Sequence, residues 1–166
     1  MIPWFGRKKN AFMEKLFEHI KLREGYKQSV YLDILGKPTC GIGHLLTKKE
    51  QEIYPVKCLV PKGVIDDWFK EDIKTALDAS SEQMKALNLI DEDFKIALVS
   101  VNYQLGASWH KKFPATWNCL KHKQYDAAIQ ELLYKNPPDK EPSNWKEQTP
   151  VRVEDFVEAI ENLKEK

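Results

Sequence analysis

Apolar positions along the chain recur at two different periods, and the change between them sets out the elements. After Asn10, the residues Phe12, Leu16, Phe17 and Ile20 are spaced by three and four. That spacing predicts an amphipathic helix capped by Asn10, ending near Glu24 with Gly25 as its stop. The period then shortens. Val30 to Asp33 reads as a strand, Ile34 to Lys37 as a turn around Gly36, and Thr39 to His44 as a returning strand. Gly41 and Gly43 would weaken an ordinary strand, so they predict a bend or a close backbone approach. Val56 to Val60 is a candidate third strand.

Helical spacing resumes with Asp66 as a cap and Ile65, Trp68, Phe69, Ile73, Ala76 and Leu77 along one side, giving a helix over about 66–79. Residues 92–105 are apolar almost all round, which predicts a helix at the centre of a bundle. Shorter helices follow at about 114–122 and 124–134, then a loop from Asn136 to Ser143. A last helix enters at Thr149-Pro150 and carries Val153, Phe156, Val157, Ile160 and Leu163. No internal repeat is present. The expected fold is α+β: a small β-hairpin lobe at about 25–63 and a larger helical lobe built from 11–24 plus 80–166. The long helix at 66–79 would join them, and such a join leaves a cleft of the kind ligands occupy.

Composition narrows the functional classes. The 166 residues are 42% hydrophobic and 31% charged, enough apolar material for a core, and the net charge is only +1. No dense basic run exists, so nucleic acid is not an expected partner. Only Arg7, Arg23 and Arg152 are arginines, and each offers a fixed fork that lysine lacks. Cys40, Cys58 and Cys119 fit no metal-ligand spacing. They are expected to be reduced thiols, and neither metal nor cofactor is expected. At the start of the chain, Ile2, Pro3, Trp4 and Phe5 precede Arg7, Lys8 and Lys9, the reverse of a signal peptide. No run approaches the roughly 18 apolar residues that span a bilayer, so membrane insertion is not expected.

The candidate chemistry lies at Arg23-Glu24-Gly25 and in the hairpin that follows. Glycoside hydrolysis needs one protonated carboxyl group and one ionised carboxylate, which calls for two acids in unlike environments. Glu24 sits at a helix C-terminus, where the last carbonyls disfavour ionisation. Asp33 sits at a strand end, where water and backbone amides favour it. Spacing alone carries little weight, since the chain holds 25 acidic residues.

The whole stretch carries more. Glu-Gly, Tyr-Leu-Asp, a glycine turn, then Thr39-Cys40-Gly41-Ile42-Gly43-His44-Leu45-Leu46-Thr47 resembles the phage-type lysozymes (endolysins) of glycoside hydrolase family 24. Asn102 to Gly106 with Phe113, and Gln148-Thr149-Pro150 with Arg152, are similar to later motifs of that family. The resemblance implies one lysozyme-like domain over residues 1–166. It implies Glu24 as general acid, Asp33 as the second carboxylate and Thr39 as the hydroxyl that helps place the attacking water, an arrangement suited to inversion. Leu45, Tyr103 and Thr116 match saccharide-binding positions. His44 matches a histidine paired with an acid, here Asp72, and Arg152 matches a residue that reaches the catalytic acid.

The partner so implied is bacterial peptidoglycan, attacked at the β-1,4 bond between N-acetylmuramic acid and N-acetylglucosamine. A monomer is expected, held in the host cytoplasm until a separate holin-like pore lets it act on the wall in the periplasm. Two rivals remain open on the residues alone. One is a lytic transglycosylase, in which a substrate hydroxyl replaces water. The other is a binding module without turnover. Trp109, Phe113 and Trp117 are read as core in preference to sugar-stacking platforms.

Overall fold

The computed structural model describes the backbone of residues 4–166 and the side chains from Ala11 onward, so the apolar side chains read at positions 2–5 lie outside the described residues. Among the described residues the chain forms nine helices and one three-stranded antiparallel sheet. This is the α+β class expected. The residues group into two compact units that divide at Thr75 and Ala76.

In the first unit, helix α1 runs from Trp4 to Glu24. Asn10 therefore lies inside the helix and does not cap it. Asparagine costs little in a helix interior, and Arg7, Lys8 and Lys9 carry the helix back past it. Leu16 and Ile20 are fully buried, and Phe17 meets Phe69 edge-on at 5.5 Å. Phe69 belongs to the long helix that follows the sheet, and α1 falls in the first unit with the sheet, whereas the sequence pattern groups residues 11–24 with the later helices. Gly25 closes the helix at φ +70°, donating to the carbonyl of Lys21 at 2.8 Å.

The sheet is a meander of β1 (Lys27–Leu32), β2 (Pro38–Gly41) and β3 (His44–Leu45). The returning strand read over 39–44 thus breaks in two. Ile42 and Gly43 form a turn between β2 and β3, with Gly41 and Gly43 both at φ +67°. Val56 to Val60 does not form the third strand. It lies along the free edge of β1 through a single bridge of Ser29 with Leu59, and Val30 N–H donates to the Cys58 carbonyl at 2.9 Å. Pro55 and Pro61 confine that segment, since proline cannot extend a ladder.

Helix α2 (Lys48–Ile53) is a further element that hydrophobic periodicity does not reveal, for none of its residues is buried. It is held by a capping box: Thr47 Oγ1 accepts from the Glu50 amide, and the Glu50 carboxylate accepts from Thr47 N–H. A buried cluster of Val30, Cys40, Leu46, Val60, Ile65 and Trp68 forms the core beneath the sheet.

Helix α3 extends from Lys62 to Leu87, longer at both ends than the expected 66–79. The Pro61 carbonyl accepts from Val64 and Ile65, so the helix starts ahead of Asp66. Ser80 does not stop it, because its hydroxyl donates back to the Ala76 carbonyl at 2.7 Å. Asn88 stops it at φ +54°, with Asn88 N–H on Lys85 and Leu89 N–H on Met84, both carbonyls of the last turn.

The second unit packs α4 (Glu92–Leu105), α5 (Trp109–Lys112), α6 (Pro114–Lys121), α7 (Tyr125–Leu133), α8 (Asn144–Gln148) and α9 (Pro150–Lys164). As its apolar circumference predicts, α4 sends Phe94, Leu98 and Val101 into a core shared with Trp109, Leu120, Leu132, Phe156 and Ile160. Trp109 is core, its indole N–H donating to Gln83 at 3.0 Å, and Phe113 and Trp117 pack against the same cluster.

Candidate active site

In the first unit, Glu24 at the end of α1 and Asp33, Thr39, His44 and Leu45 on or beside the sheet lie around the hairpin, and Asp72 reaches His44 from inside α3. Glu24 is the last residue of α1, and its carboxylate lies over the β2–β3 turn. A Cβ on Gly43 would stand 3.0 Å from the Glu24 Cδ and closer still to its carboxylate oxygen. The close backbone approach that the two glycines predict is therefore made to Glu24 at Gly43 and to the Ile65 side chain at Gly41.

Asp33 follows β1 and organises the hairpin turn. Its Oδ1 accepts from Leu35 N–H at 2.9 Å and Lys37 N–H at 2.8 Å. The Asp33 carbonyl also accepts from Gly36 N–H, and the Asp33 amide donates to Lys37. This is an Asx turn, in which a short acidic side chain substitutes for backbone hydrogen bonds. It fixes the carboxylate without using Oδ2.

Thr39 lies opposite Tyr31 on one side and Leu45 on the other, so the three residues form a cross-strand row. The Thr39 side chain is buried and its hydroxyl donates to the Lys37 carbonyl at 3.0 Å. That commits the proton and leaves the oxygen lone pairs to accept. Leu45 is 50% exposed, an apolar surface beside this row.

Tyr31 is the residue that sequence reasoning passed over. Its phenol is held above the ordinary value of 10.0 by partial burial first, and then by the negative charges of Glu24 and Asp33. One phenol therefore lies in the field of both acids. The signal was visible in the Tyr-Leu-Asp motif, two positions before Asp33. Lys27 Nζ lies 4.2 Å above the Tyr31 ring.

His44 is held at both nitrogens. Nδ1 donates to Asp72 at 2.7 Å and Nε2 donates to Glu50 at 3.0 Å, while the ring stacks on Trp68 at 4.4 Å. Burial opposes the charged imidazole, yet the two carboxylates outweigh it and raise His44 above its ordinary 6.5. Glu50 is also drawn two ways. Burial raises it, but the Thr47 amide and His44 prevail and hold it below 4.5. The sequence supplied Asp72 but not Glu50, although Thr47-x-x-Glu50 is a readable capping signal. Cys40, on the same strand as Thr39, is fully buried, and burial raises its thiol. Its environment is that of a packed side chain, not a nucleophile.

In the second unit, Tyr103 is half-buried near the end of α4. Thr116 is only 1% exposed, so the hydroxyl matched to a saccharide contact is enclosed in α6 in this conformation. Arg152 is buried at the start of α9 and donates through Nη2 to the Ser100 carbonyl at 3.0 Å and the Ser100 hydroxyl at 2.8 Å.

A helix-end glutamate, a turn-anchored aspartate and a threonine acceptor around one aromatic ring fit a glycoside hydrolase, which divides proton donation and water activation between two carboxyl groups. Comparison with known proteins agrees. The family model described as phage lysozyme matches residues 21–141, and the chain belongs to that family. It is similar to the probable T4-type lysozyme 2 of Dictyostelium discoideum, 29% identical over 90% of this chain and 95% of the relative. It is also similar to the probable T4-type lysozyme 1 of the same organism, 26% identical over 86% of this chain and 91% of the relative. The protein is a lysozyme, a glycoside hydrolase acting on peptidoglycan.

Proposed function

We propose that this lysozyme hydrolyses the β-1,4 bond between N-acetylmuramic acid and N-acetylglucosamine, with inversion at the muramic acid C1. The observation that carries the reading is the Glu24 carboxylate held over the β2–β3 turn, beside the cross-strand row of Tyr31, Thr39 and Leu45 and the turn anchored by Asp33. The Glu24 carboxyl group gives its proton to the leaving glycosidic oxygen as the C1–O bond breaks. Asp33 Oδ2, which takes no part in the turn, receives a proton from the attacking water. The Thr39 hydroxyl, its own proton committed to Lys37, accepts the second hydrogen of that water and orients it. Water held in this way reaches the face of the sugar opposite the leaving group, which gives inversion. Leu45 is proposed to contact a sugar ring through its exposed side chain.

The two relatives come from Dictyostelium discoideum. The proposal therefore concerns wall digestion in general, with host-cell lysis by a phage as its narrower setting.

The test is product analysis on purified peptidoglycan. Reducing muramic acid ends that appear first as the α-anomer by proton NMR are expected. Initial β-anomer would contradict inversion, and anhydro-muramic ends as the main product would replace hydrolysis by transglycosylation.

A further inference from the structure

The central positions of a β-turn ordinarily carry Pro, Asp, Asn, Ser or Gly. In the turn from Asp33 to Gly36 they are Ile34 and Leu35, which are 79% and 67% exposed. The turn is not loose. Asp33 Oδ1 binds the Leu35 and Lys37 amides, so two aliphatic side chains are presented to solvent on a fixed backbone. Leu32, just before the turn, is also exposed.

Charge is gathered at the same end of the sheet. Leu32 pairs with Pro38, and Leu46 N–H donates to the Pro38 carbonyl at 3.0 Å, which brings the chain leaving β3 beside the turn. Lys37, Lys48 and Lys49 are all exposed there. Of the nearby acids, Asp33 is engaged by the turn amides and Glu50 by His44 and the Thr47 amide, while Glu52 is exposed. From Lys21 to Lys62 the chain carries eight basic residues against four acidic ones, although the whole chain is nearly neutral.

We infer that the β1–β2 turn is a contact for an anionic lipid surface, with Ile34 and Leu35 entering the boundary between headgroups and acyl chains and Lys37, Lys48 and Lys49 meeting the phosphates. Exposed aliphatic residues ringed by lysine are the two attractions that hold a peripheral protein to such a surface. One leucine such as Leu45 can lie against a sugar ring, but an adjacent aliphatic pair beside three lysines finds neither an apolar layer nor phosphates in a glycan strand. A second copy of this chain would bring like charges together. The contact involves one turn and no spanning segment, in keeping with the absence, among the described residues, of any helix long and apolar enough to cross a membrane. It would hold the lysozyme at the membrane-proximal layer of the wall.

The inference is independent of the proposed bond specificity, and vesicle binding tests it without hydrolysis. The probes are vesicles of equal parts phosphatidylglycerol and phosphatidylcholine, and vesicles of phosphatidylcholine alone. The wild-type chain is expected to sediment with the anionic vesicles, less so at high salt, and Glu24→Gln is expected to bind equally. The double variant Ile34→Ser, Leu35→Asn places turn-forming residues at these positions and is expected to bind about tenfold or more weakly. A separate Lys48→Glu, Lys49→Glu variant, with folding checked by circular dichroism, should lose binding to a similar degree. The inference is overturned if the wild type ignores anionic vesicles, if both variants bind as well as wild type, or if neutral vesicles bind equally. It is also overturned if Ile34→Ser, Leu35→Asn loses binding to lipid-free peptidoglycan in parallel, since the turn would then be a glycan contact.

Discussion

The absence of a side chain at Gly43 makes room for the carboxylate of Glu24. A Cβ at that position would overlap the carboxylate, and the backbone there has φ +67°, where L-residues are strained. Gly43→Ala should therefore cost about 1–2 kcal/mol of stability from backbone strain. It should also displace Glu24, the proposed proton donor. Thermal melting reads the first effect and the rate of peptidoglycan solubilisation the second. Full activity in the variant would mean that the position of Glu24 is not set by the β2–β3 turn.

Asp33 combines two tasks that one substitution can separate. An asparagine retains Oδ1 and can still accept from the Leu35 and Lys37 amides, so the turn should survive in Asp33→Asn. The charge proposed to draw a proton from water is lost. Activity should fall about 10²- to 10⁴-fold, the usual worth of a general base, with a melting temperature close to wild type. A large loss of stability with little change in rate would make Asp33 a turn residue only.

His44 predicts a dependence of stability on pH. Its value in the folded protein stands above the ordinary 6.5, so its stabilising contribution is complete below about 6.5 and is lost as pH rises through the raised value. Glu50 stands below 4.5, so its share is complete above that value and is lost as pH falls through the lowered one. The contacts of His44 with Asp72 and Glu50 should thus be strongest in mildly acidic solution. Asp72→Asn should lower the melting temperature there, by about 2–4 °C for each kcal/mol lost, and flatten the decline toward alkaline pH. An unchanged alkaline slope in the variant would contradict this account.

Much of this was legible in the sequence because apolar periodicity and glycine placement report directly on burial and backbone. The helix at 92–105, the hairpin and the Gly41–Gly43 bend were set by such local signals. The elements missed were those with no buried face. Helix α2 buries none of its residues, so only its Thr47–Glu50 capping box announces it. The starts of α1 and α3 shifted because Asn10 and Asp66 are good caps that longer helices pass through. Val56 to Val60 reads as a strand, but two prolines leave it a single bridge. At the site, Glu24, Asp33 and Thr39 stand out through their motif. Tyr31 and Glu50 belong to readable local motifs, but their contacts with Thr39 across the strands and with His44 between helix and sheet are not encoded in spacing along the chain. The burial of Thr116 likewise arises from the packing of its helix.

The central claim, that Glu24 is the proton donor of a glycoside hydrolase, is tested most directly by the release of reducing ends from purified peptidoglycan by wild type and Glu24→Gln at matched concentration. The amide keeps the size of the side chain over Gly43 but cannot donate a proton of the required acidity, and a fall of about 10²- to 10⁴-fold is expected. Equal release by the two proteins would contradict the assignment.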